Sequence, residues 1–403
     1  MINKKVQKIS HHATRNPQPE TSKLLKVLET PNGDLPLPAF LPDATQAVVR
    51  TIDSRDIKES GIQSLMVNVI HLSNHPGTSV IKKHGGIHQF MAWDGPIFSD
   101  SGGFQVFSLI KNSPKMGSVT NRGFIYRLEK GGKKRTLTPE KSIQKQFQIG
   151  ADVMFCLDYC THPDAADEKN LQRKSVEITI HWAERCRKEF DRQLQNKENP
   201  QKRPLLFAVI QGGNSRELRK MCFESLFEIG FDGYGFGGWP VDKNGILGDA
   251  VEMVAEFVPN HFPLHGLGIG KPENIVQAFK MGFTLFDCVL PTRDARHRRL
   301  YVFNDKIENV NLFETTEDFY NYHYIHDNKF IRDTQPVDPY CDCFCCQNYS
   351  RAYLHHLLKI EEPLVNRLAT IHNLKFYSKL MEKASGGQEP FYKKVPGPPK
   401  IFY

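Results

Sequence analysis

Four polar side chains stand at or near the ends of short apolar segments: Asp100, Asp158, Gln211 and Asp287. Two carboxylates that face each other across a pocket can cleave a glycosidic bond, because one attacks or stabilises the sugar carbon while the other transfers protons. The remaining carboxylate and amide offer acceptors and donors that suit the edge of a purine. These residue types therefore favour an enzyme that acts on an N- or O-glycoside.

Each of these residues alone could instead be an ordinary cap, because Asp suits the start of a helix and Gly suits the turn after a strand. Asp287 fits that interpretation least well. It lies within the apolar segment LFDCVLP, which predicts that more strand follows it rather than the start of a helix. A carboxylate there is costly unless it has a partner or a task, so we expect a nucleophile or an acid/base.

The cysteine cluster CDCFCC at residues 341–346 is a second chemical signal, and it holds four of the nine cysteines. Such crowding indicates a metal site in a reducing compartment rather than disulfides. Cys341, Cys343 and Cys346 have the spacing C-x-C-x₂-C, which suits three thiolates on one tetrahedral Zn²⁺, and a fourth ligand must come from elsewhere. Because four protein ligands leave no open position, we predict a structural zinc ion.

Eight short apolar segments, separated by longer amphipathic ones, must position these side chains. The predicted strands are residues 38–42, 64–71, 96–103, 152–158, 205–213, 233–238, 263–270 and 285–293. Near-continuous apolar strands that alternate with helical segments predict a parallel sheet covered on both faces. Eight such units have the size of a closed barrel, so we predict an α/β fold, a (β/α)₈ TIM barrel, ahead of a doubly wound sheet with eight strands.

In such a barrel the carboxyl ends of the strands lie on one side, so the polar residues named above would converge at one mouth. Four arginines follow the eighth strand directly: Arg293, Arg296, Arg298 and Arg299. They would bring phosphate groups to the same mouth. The formal net charge of +8 agrees with a polyanionic partner, although charge alone is weak evidence for one.

The chain divides into a barrel and smaller parts. The expected units are a polar N-terminal tail at 1–24, the catalytic barrel at 25–300, a zinc-binding subdomain with closing helices at 301–385, and an extended tail at 386–403. We also expect an inserted β-hairpin at 113–136 and an exposed polar connection at 189–204. No apolar segment is long enough to span a membrane, and no secretory signal is recognisable, so we expect a cytoplasmic protein.

These motifs together resemble the tRNA-guanine transglycosylase (queuine tRNA-ribosyltransferase) family. The segment FSDSGGFQVFSL at 98–109 closely matches its signature, and the pattern continues in HGGIHQF, GADVMFCLD, VIQGG, GYGFGG, GLGIGKPENI and FDCVLPTRDAR. The resemblance covers roughly residues 25–380, nearly the whole chain. It implies a pentosyltransferase of queuosine modification, which exchanges the wobble guanine of a tRNA anticodon for a 7-deazaguanine base.

The resemblance also implies roles for the matched residues. Asp287 would be the nucleophile that bonds to the ribose, and Asp100 would be the general acid/base for the departing and the incoming base. The residues implied in base binding are Ser101, Phe104, Asp158, Gln211, Gly238, Trp239, Leu267 and Gly268. Arg293 and Arg296 would hold the anticodon-loop nucleotides. Such a double displacement implies ping-pong kinetics.

For the zinc site, the family's spacing implies His372 as the fourth ligand rather than His355 or His356. The resemblance further implies a homodimer, with the zinc subdomain near the interface. Neither implication follows from composition or periodicity.

The segment after the sixth strand departs from the family and reads GGWPV at 237–241. Proline has no N–H, so the 239–240 peptide can accept but not donate a hydrogen bond. If this peptide faces the 7-substituent of the base, it suits an ammonium group and offers nothing to a nitrile. We therefore expect a cationic substituent, with preQ1 ahead of queuine because Cys160 and Val241 leave little room.

Three other functions fit parts of the pattern. A non-catalytic family member would bind tRNA as a partner subunit, although Asp100 and Asp287 are both present. A barrel hydrolase of another nucleoside or glycoside would release a base without incorporating another, but the arginines and the zinc subdomain argue against it. A paralogue with an altered base or nucleic-acid substrate is the third alternative.

Overall fold

The computed structural model describes residues 24–161, 168–195, 203–312 and 319–386. The predicted N-terminal tail and the predicted extended C-terminal tail lie outside these residues, apart from one residue of each.

Eight parallel strands form one sheet that closes on itself. They are β1 Ala39–Pro42, β2 Leu65–Asn68, β3 Ile97–Asp100, β4 Val153–Phe155, β5 Leu205–Ile210, β6 Gly233–Phe236, β7 Leu264–Leu267 and β8 Leu285–Cys288. Neighbours in chain order are neighbours in the sheet, β8 pairs with β1, and a parallel bridge between Asp43 and Met66 joins the β1 and β2 edges. The predicted (β/α)₈ barrel is confirmed, and the doubly wound alternative is wrong.

All eight predicted strands exist, but most end earlier than predicted. Their polar and glycine ends leave the sheet and form the loops of the mouth, as in barrels generally. The largest difference follows β8, where a helix at Leu290–Arg296 begins almost at once, with a proline in its first turn. The expectation that more strand follows Asp287 is therefore wrong, because proline near a helix start needs no N–H partner and is well placed there.

Alternation along the strands decides which side chains point into the barrel. Leu285 belongs to the apolar cluster inside the barrel, whereas Phe286 packs in the outer layer beneath the helices. Successive strand residues point to opposite faces, so Asp287 points inward again. Phe98 in β3 is likewise an interior residue, and Asp100 follows it two positions later. The strand period thus aims both carboxylates at the mouth.

Helices surround the barrel and connect its strands. Their bounds are Ser54–Glu59, Val69–Asn74, Thr78–Lys83, Ile87–Met91, Gly103–Asn112, Pro139–Ile149, Glu168–Gln195, Arg216–Ile229, Asp249–Phe257, Pro272–Met281 and Leu290–Arg296. The predicted polar connection at 189–204 is wrong for residues 189–195, which finish the helix Glu168–Gln195. Charged pairs one turn apart, such as Glu189 with Arg192, stabilise this polar end as a helix.

The insertion after β3 is a small antiparallel sheet of three strands rather than a hairpin alone. The strands are Gly117–Thr120, Gly123–Tyr126 and Arg135–Leu137. The buried Trp182 fastens its first turn to the long helix by donating from Nε1 to the carbonyl of Asn121 at 2.9 Å. A second short antiparallel pair, Val27–Leu28 with Leu35–Pro36, precedes β1.

The C-terminal region begins with the antiparallel strands Arg299–Phe303 and Tyr320–Tyr324. The helices Phe344–Asn348, Arg351–Lys359 and Leu364–Ser385 follow. The last of these contacts β1 and the helices at 54–59, 272–281 and 290–296, and so occupies the eighth position of the outer ring. Tyr377 ties it to the barrel by donating to the carbonyl of Gly270 at 2.6 Å.

Candidate active site

Asp287 lies at the carboxyl end of β8 and is held from the neighbouring strand. His265 in β7 is fully buried, and its Nε2 lies 2.9 Å from Oδ1 of Asp287. The backbone N–H of Gly268, in the loop after β7, donates to the same oxygen at 3.3 Å. Gly268 has a φ of +78°, a left-handed conformation that favours glycine and directs this N–H at the carboxylate.

Asp100 lies at the end of β3 and accepts hydrogen bonds from two side-chain amides and, at 3.4 Å, from the backbone N–H of Gly102. Asn68 and Gln105 each donate to its Oδ2 at 2.9 Å. Burial raises the pKa of the Asp100 carboxyl, and the nearby carboxylate of Asp287 raises it further, against the lowering effect of the Gln105 amide. The structure thus brings the two predicted catalytic residues into one electrostatic environment, in which the pKa of Asp100 is raised above its ordinary value.

Asp158, after β4, is bonded to Gln211, after β5. The Gln211 amide is buried and donates from Nε2 to Oδ2 of Asp158 at 2.7 Å. Burial raises the pKa of Asp158 to about 7, and the charge of Asp100 contributes in the same direction, whereas the Gln211 hydrogen bond lowers it. The predicted amide and carboxylate therefore meet beside the Asp100 carboxyl.

The loop after β6 forms one wall of the mouth. The Trp239 ring lies 5.6 Å from the Phe104 ring and 6.2 Å from the Phe107 ring, and the Lys111 ammonium stands 5.4 Å from it. Phe104 is 45% exposed, which leaves an aromatic face open at the mouth. Gly238 has a φ of +105°, so the turn into this wall favours glycine.

Arg219 supports this wall from beneath and was not identified from the sequence. Its buried guanidinium donates to the carbonyl of Gly237 at 2.8 Å, to the carbonyl of Gly213 at 2.8 Å and to that of Ile210. It lies 4.4 Å from the Phe236 ring, and burial lowers its pKa to about 10. One side chain thus joins the loops after β5 and β6.

Ser101 and Leu267, the remaining predicted base-binding residues, have a polar and an apolar environment respectively. Ser101 is buried, and its Oγ accepts a hydrogen bond from the N–H of Gly103 at 3.3 Å, within the turn that follows β3. Leu267 is half-buried and packs on the apolar cluster inside the barrel. Ser101 lies in the loop next to Asp100, and Leu267 is the last residue of β7, next to Gly268.

The four arginines after β8 divide into two pairs. Arg299 forms an ion pair with the buried Asp294 at 2.7 Å, and Arg298 donates to the Asn366 side chain, so both are held within the fold. Arg293 is exposed and Arg296 half-buried. Burial lowers the pKa of Arg296, and the neighbouring charge of Arg50 lowers it further.

Arg50 was missed by the sequence analysis, as were His265, Asn68 and Gln105. No local pattern marks Arg50, because it lies more than two hundred residues before Arg293. The imidazole of His265 within an otherwise apolar strand was the signal that could have found it.

Comparison with known proteins gives a consistent result over nearly the whole chain. The sequence model of the family described as Queuine tRNA-ribosyltransferase matches residues 23–385. The chain belongs to this family. Among relatives named queuine tRNA-ribosyltransferase, the Aliivibrio fischeri protein is 41% identical over 360 residues, covering 88% of this chain and 87% of its own. The Idiomarina loihiensis and Thermoanaerobacter pseudethanolicus proteins are each 39% identical, covering 87% and 90% of this chain and 86% and 89% of their own.

The family resemblance predicted from the motifs is therefore confirmed. As a member of the queuine tRNA-ribosyltransferase family, the chain combines the barrel with a cysteine-rich C-terminal region. Within the described residues, no helix has the length and apolar character needed to cross a membrane.

The cysteine-rich region of this family member brings four potential metal ligands together. The group consists of Cys341, Cys343, Cys346 and His372, whose ligand atoms all lie within 4.8 Å of one another. Nδ1 of His372 is 3.3 Å from Sγ of Cys346 and 3.7 Å from Sγ of Cys343. Its Nε2 lies 2.7 Å from the carbonyl of Tyr301 and donates to it, which leaves the lone pair of Nδ1 directed at the thiols.

This donor set fits a tetrahedral metal site. His355, one of the alternatives, is bonded instead through Nδ1 to the carbonyl of Ile325 at 2.9 Å. Cys345 is buried but stands outside the group of four ligand atoms. The cluster can therefore hold a metal ion with three sulfur ligands and one nitrogen ligand.

Proposed function

We propose that this chain is a tRNA-guanine transglycosylase, which exchanges the wobble guanine of a tRNA anticodon for a 7-deazaguanine base. The observation that carries the proposal is the pair Asp100 and Asp287 at one barrel mouth, with different environments. Asp287 accepts hydrogen bonds from His265 and Gly268 on one oxygen, whereas burial raises the pKa of Asp100. Two carboxyl groups with different environments suit separate roles.

The reaction proceeds by double displacement. An oxygen of Asp287 bonds to C1′ of the ribose as the C1′–N9 bond breaks, and the proton of Asp100 moves to the departing guanine. The incoming base then gives its N9 proton to Asp100, and its N9 bonds to C1′ as the bond to Asp287 breaks. Both carboxyl groups return to their first state, so no further reactant is needed.

Asp158 and Gln211 read the base. A guanine edge presents N–H donors beside a carbonyl, and an ionised Asp158 accepts hydrogen bonds from these N–H groups. The Gln211 amide orients the Asp158 carboxylate through the 2.7 Å hydrogen bond. Phe104 offers an exposed ring for stacking, and Trp239 packs behind it. Ser101, Gly238 and Gly268 belong to the loops that border this position, and Leu267 ends the strand β7 beside it.

Arg293 and Arg296 hold the phosphates of the anticodon loop. Arg293 is exposed and Arg296 donates from Nη1 to the carbonyl of Thr292 at 2.9 Å, whereas Arg298 and Arg299 are bonded to side chains of the fold. Arg50 adds a third charge next to Arg296. Asp43 also lies near Arg296, but three positive charges held close together still favour binding of an anion.

A cationic 7-substituent, preQ1 ahead of queuine, is the base specificity we propose. The Trp239-Pro240 peptide has an acceptor and no donor, which suits an ammonium group. The buried Cys160 lies beside Asp158 and Gln211. Burial and the charge of Asp158 raise the pKa of its thiol, and the contact with the Gln211 side chain lowers it. Val241 is half-buried and pairs with Leu247, which closes the loop and limits the room for a larger substituent.

Zinc is the metal that best fits the cluster of three thiols and one imidazole. Cys341, Cys343, Cys346 and His372 would hold it, and its four protein ligands would leave no position for substrate. It would stabilise the C-terminal region and take no part in the chemistry.

We also propose that the chain divides at residues 25, 301 and 386, and that it forms a homodimer with the zinc subdomain near the interface. We further propose that the protein is located in the cytoplasm and that its nucleic acid is tRNA. Light scattering of the purified protein tests the homodimer, for which a monomer at all concentrations is the contrary result.

Base exchange and covalent trapping together test the function. Incubation with tRNA and preQ1, queuine or preQ0, followed by nucleoside mass spectrometry, should show efficient incorporation of preQ1. A covalent RNA–protein adduct should form with the wild-type protein and be lost in Asp287→Ala. Adduct without incorporation but with free guanine indicates a hydrolase, and tRNA binding without adduct indicates a non-catalytic subunit. Efficient use of preQ0 alone contradicts the proposed base specificity.

A further inference from the structure

The two carboxylate oxygens of Asp287 differ in their hydrogen bonds. Oδ1 accepts from Nε2 of His265 at 2.9 Å and from the N–H of Gly268 at 3.3 Å. Within the described residues, no hydrogen bond reaches Oδ2. The Asp287 side chain is 22% exposed, whereas that of His265 is 0% exposed. One oxygen is therefore fixed from inside the barrel, and the other is left for the mouth.

The surroundings of His265 determine which tautomer of its imidazole fits best. The Phe155 ring lies 5.4 Å from it and the Phe98 ring 6.0 Å, both nearly perpendicular to the imidazole. Its Nδ1 is buried and has no hydrogen-bond partner in the part of the chain that the structure describes. A proton on Nδ1 would therefore be an unsatisfied buried donor, whereas a proton on Nε2 faces a carboxylate. The neutral tautomer with its proton on Nε2 fits both nitrogens best.

Packing alone gives no reason for a histidine here. An apolar side chain would fill the same space against the two phenylalanine rings without burying an unpartnered nitrogen. Among the described residues, the polar contact that compensates for the unpartnered Nδ1 is the hydrogen bond from Nε2 to Asp287. This contact joins neighbouring strands, since Leu267 of β7 pairs in register with Asp287 of β8.

We propose that His265 is a positioning residue, which holds Asp287 through Oδ1 so that Oδ2 attacks C1′ of the target nucleotide. This inference rests on the proposed function. As the Oδ2–C1′ bond forms, the C1′–N9 bond breaks and guanine leaves with the proton of Asp100. His265 neither gains nor loses a proton, and its hydrogen bond persists on Oδ1 of the resulting ester.

Three substitutions separate positioning from packing. His265→Gln places an amide donor near the position of Nε2, His265→Asn places one near the position of Nδ1, and His265→Met fills the space with no donor. For His265→Met we expect kcat and the single-turnover rate of adduct formation to fall about 10- to 100-fold, the range for loss of an orienting partner. KM for tRNA should stay within about twofold of the wild-type value, because the contact is not with tRNA.

The decisive comparison is whether an amide donor at the position of Nε2, but not one at the position of Nδ1, restores the rate. We expect His265→Gln to recover a large part of the rate and His265→Asn to resemble His265→Met, with all three variants melting as cooperatively as the wild-type protein. Equal rates for Gln and Asn, or a wild-type rate for Met, would overturn the inference while leaving the proposed function intact. A wild-type protein that forms no adduct would overturn both.

Nitrogen NMR supplies a check on the wild-type protein itself. The ¹⁵N resonances of His265, assigned by their loss in His265→Gln, should have the pattern of a neutral ring protonated on Nε2. A ring protonated on Nδ1 would contradict the proposed hydrogen bond, even if the methionine variant failed to fold.

Discussion

Gln211 donates a 2.7 Å hydrogen bond to Asp158 across 53 residues of sequence, and burial still raises the pKa of that carboxyl to about 7. One hydrogen bond from an amide does not offset the removal of the carboxylate from water and the neighbouring charge of Asp100. The group that is placed to read the base therefore changes its charge near neutral pH.

Base affinity should consequently depend on pH. The N–H donors of guanine need an ionised acceptor, so below pH 7 binding must displace a proton from Asp158. We expect the Kd of free guanine, measured by calorimetry, to rise about tenfold per pH unit below about pH 7 and to be flat above it. In Asp158→Asn the affinity should be lower and this pH dependence absent. A pH dependence that persists in Asp158→Asn would assign it to another group, such as Asp100.

The raised pKa of Asp158 also makes the free energy of unfolding depend on pH. Because the folded-state pKa of Asp158 lies above the unfolded value of 3.8, the native protein binds this proton more tightly. Its contribution to the free energy of unfolding therefore decreases as pH rises from about 4 to about 7. Urea titrations at several pH values should show this decrease in the wild-type protein and a smaller one in Asp158→Asn. Identical pH profiles for the two proteins would contradict the raised pKa.

Arg219→Met should destabilise the protein and loosen the wall after β6. The substitution leaves the carbonyls of Gly213 and Gly237 without the guanidinium, and unsatisfied buried carbonyls cost about 1–3 kcal/mol each. The carbonyl of Ile210 keeps the N–H of Gly237 as a donor at 3.0 Å. We expect a loss of about 2–4 kcal/mol in urea unfolding, together with weaker base binding. Arg219→Lys should recover little, because one ammonium cannot reach the same three carbonyls.

Arg216→Met is the matched control for this prediction. Arg216 stands on the same helix, is exposed and pairs with Glu256, so its loss should cost less than about 1 kcal/mol. A similar cost for both variants would indicate that the helix, rather than the guanidinium bridge, determines the effect.

Metal analysis of ligand variants tests the C-terminal site. One zinc per chain is expected, and chelation should reduce the free energy of unfolding by more than about 3 kcal/mol because metal binding is coupled to folding of such sites. His372→Ala and Cys346→Ser should lose the metal. Cys345→Ser is the matched control, since Cys345 is buried in the same cluster but outside the group of ligand atoms. Loss of zinc in Cys345→Ser would require a different ligand set.

Salt dependence of tRNA binding tests the arginines of the mouth. Each phosphate contact that is lost should weaken binding and reduce the slope of log K against log salt by about one. We expect this for Arg293→Ala and Arg50→Ala. Lys220→Ala, on the exposed face of an outer helix, should leave both affinity and slope unchanged. Equal effects at all three positions would indicate binding by net charge alone.

Local patterns in the sequence were sufficient for the barrel and the family, and they also supplied the site residues that we propose. Apolar segments of strand length recur eight times, and each burial pattern depends mainly on residues close in sequence. The spacing of Cys341, Cys343 and Cys346 within one short segment likewise indicates a metal site without any knowledge of the fold. Local patterns were wrong after Asp287, where an apolar segment with a proline forms a helix, and at residues 189–195, where a polar segment continues one.

The tertiary structure decided which of these residues are partners and which are free. His265 meets Asp287, and Asn68 meets Asp100, because the register of adjacent parallel strands sets them side by side. Arg299 is held by the side chain of Asp294, and Arg298 by that of Asn366 on the last helix, which returns to close the outer ring. Periodicity records which face of a segment is buried, but a contact between distant segments depends on how the strands align and close, which no single segment encodes.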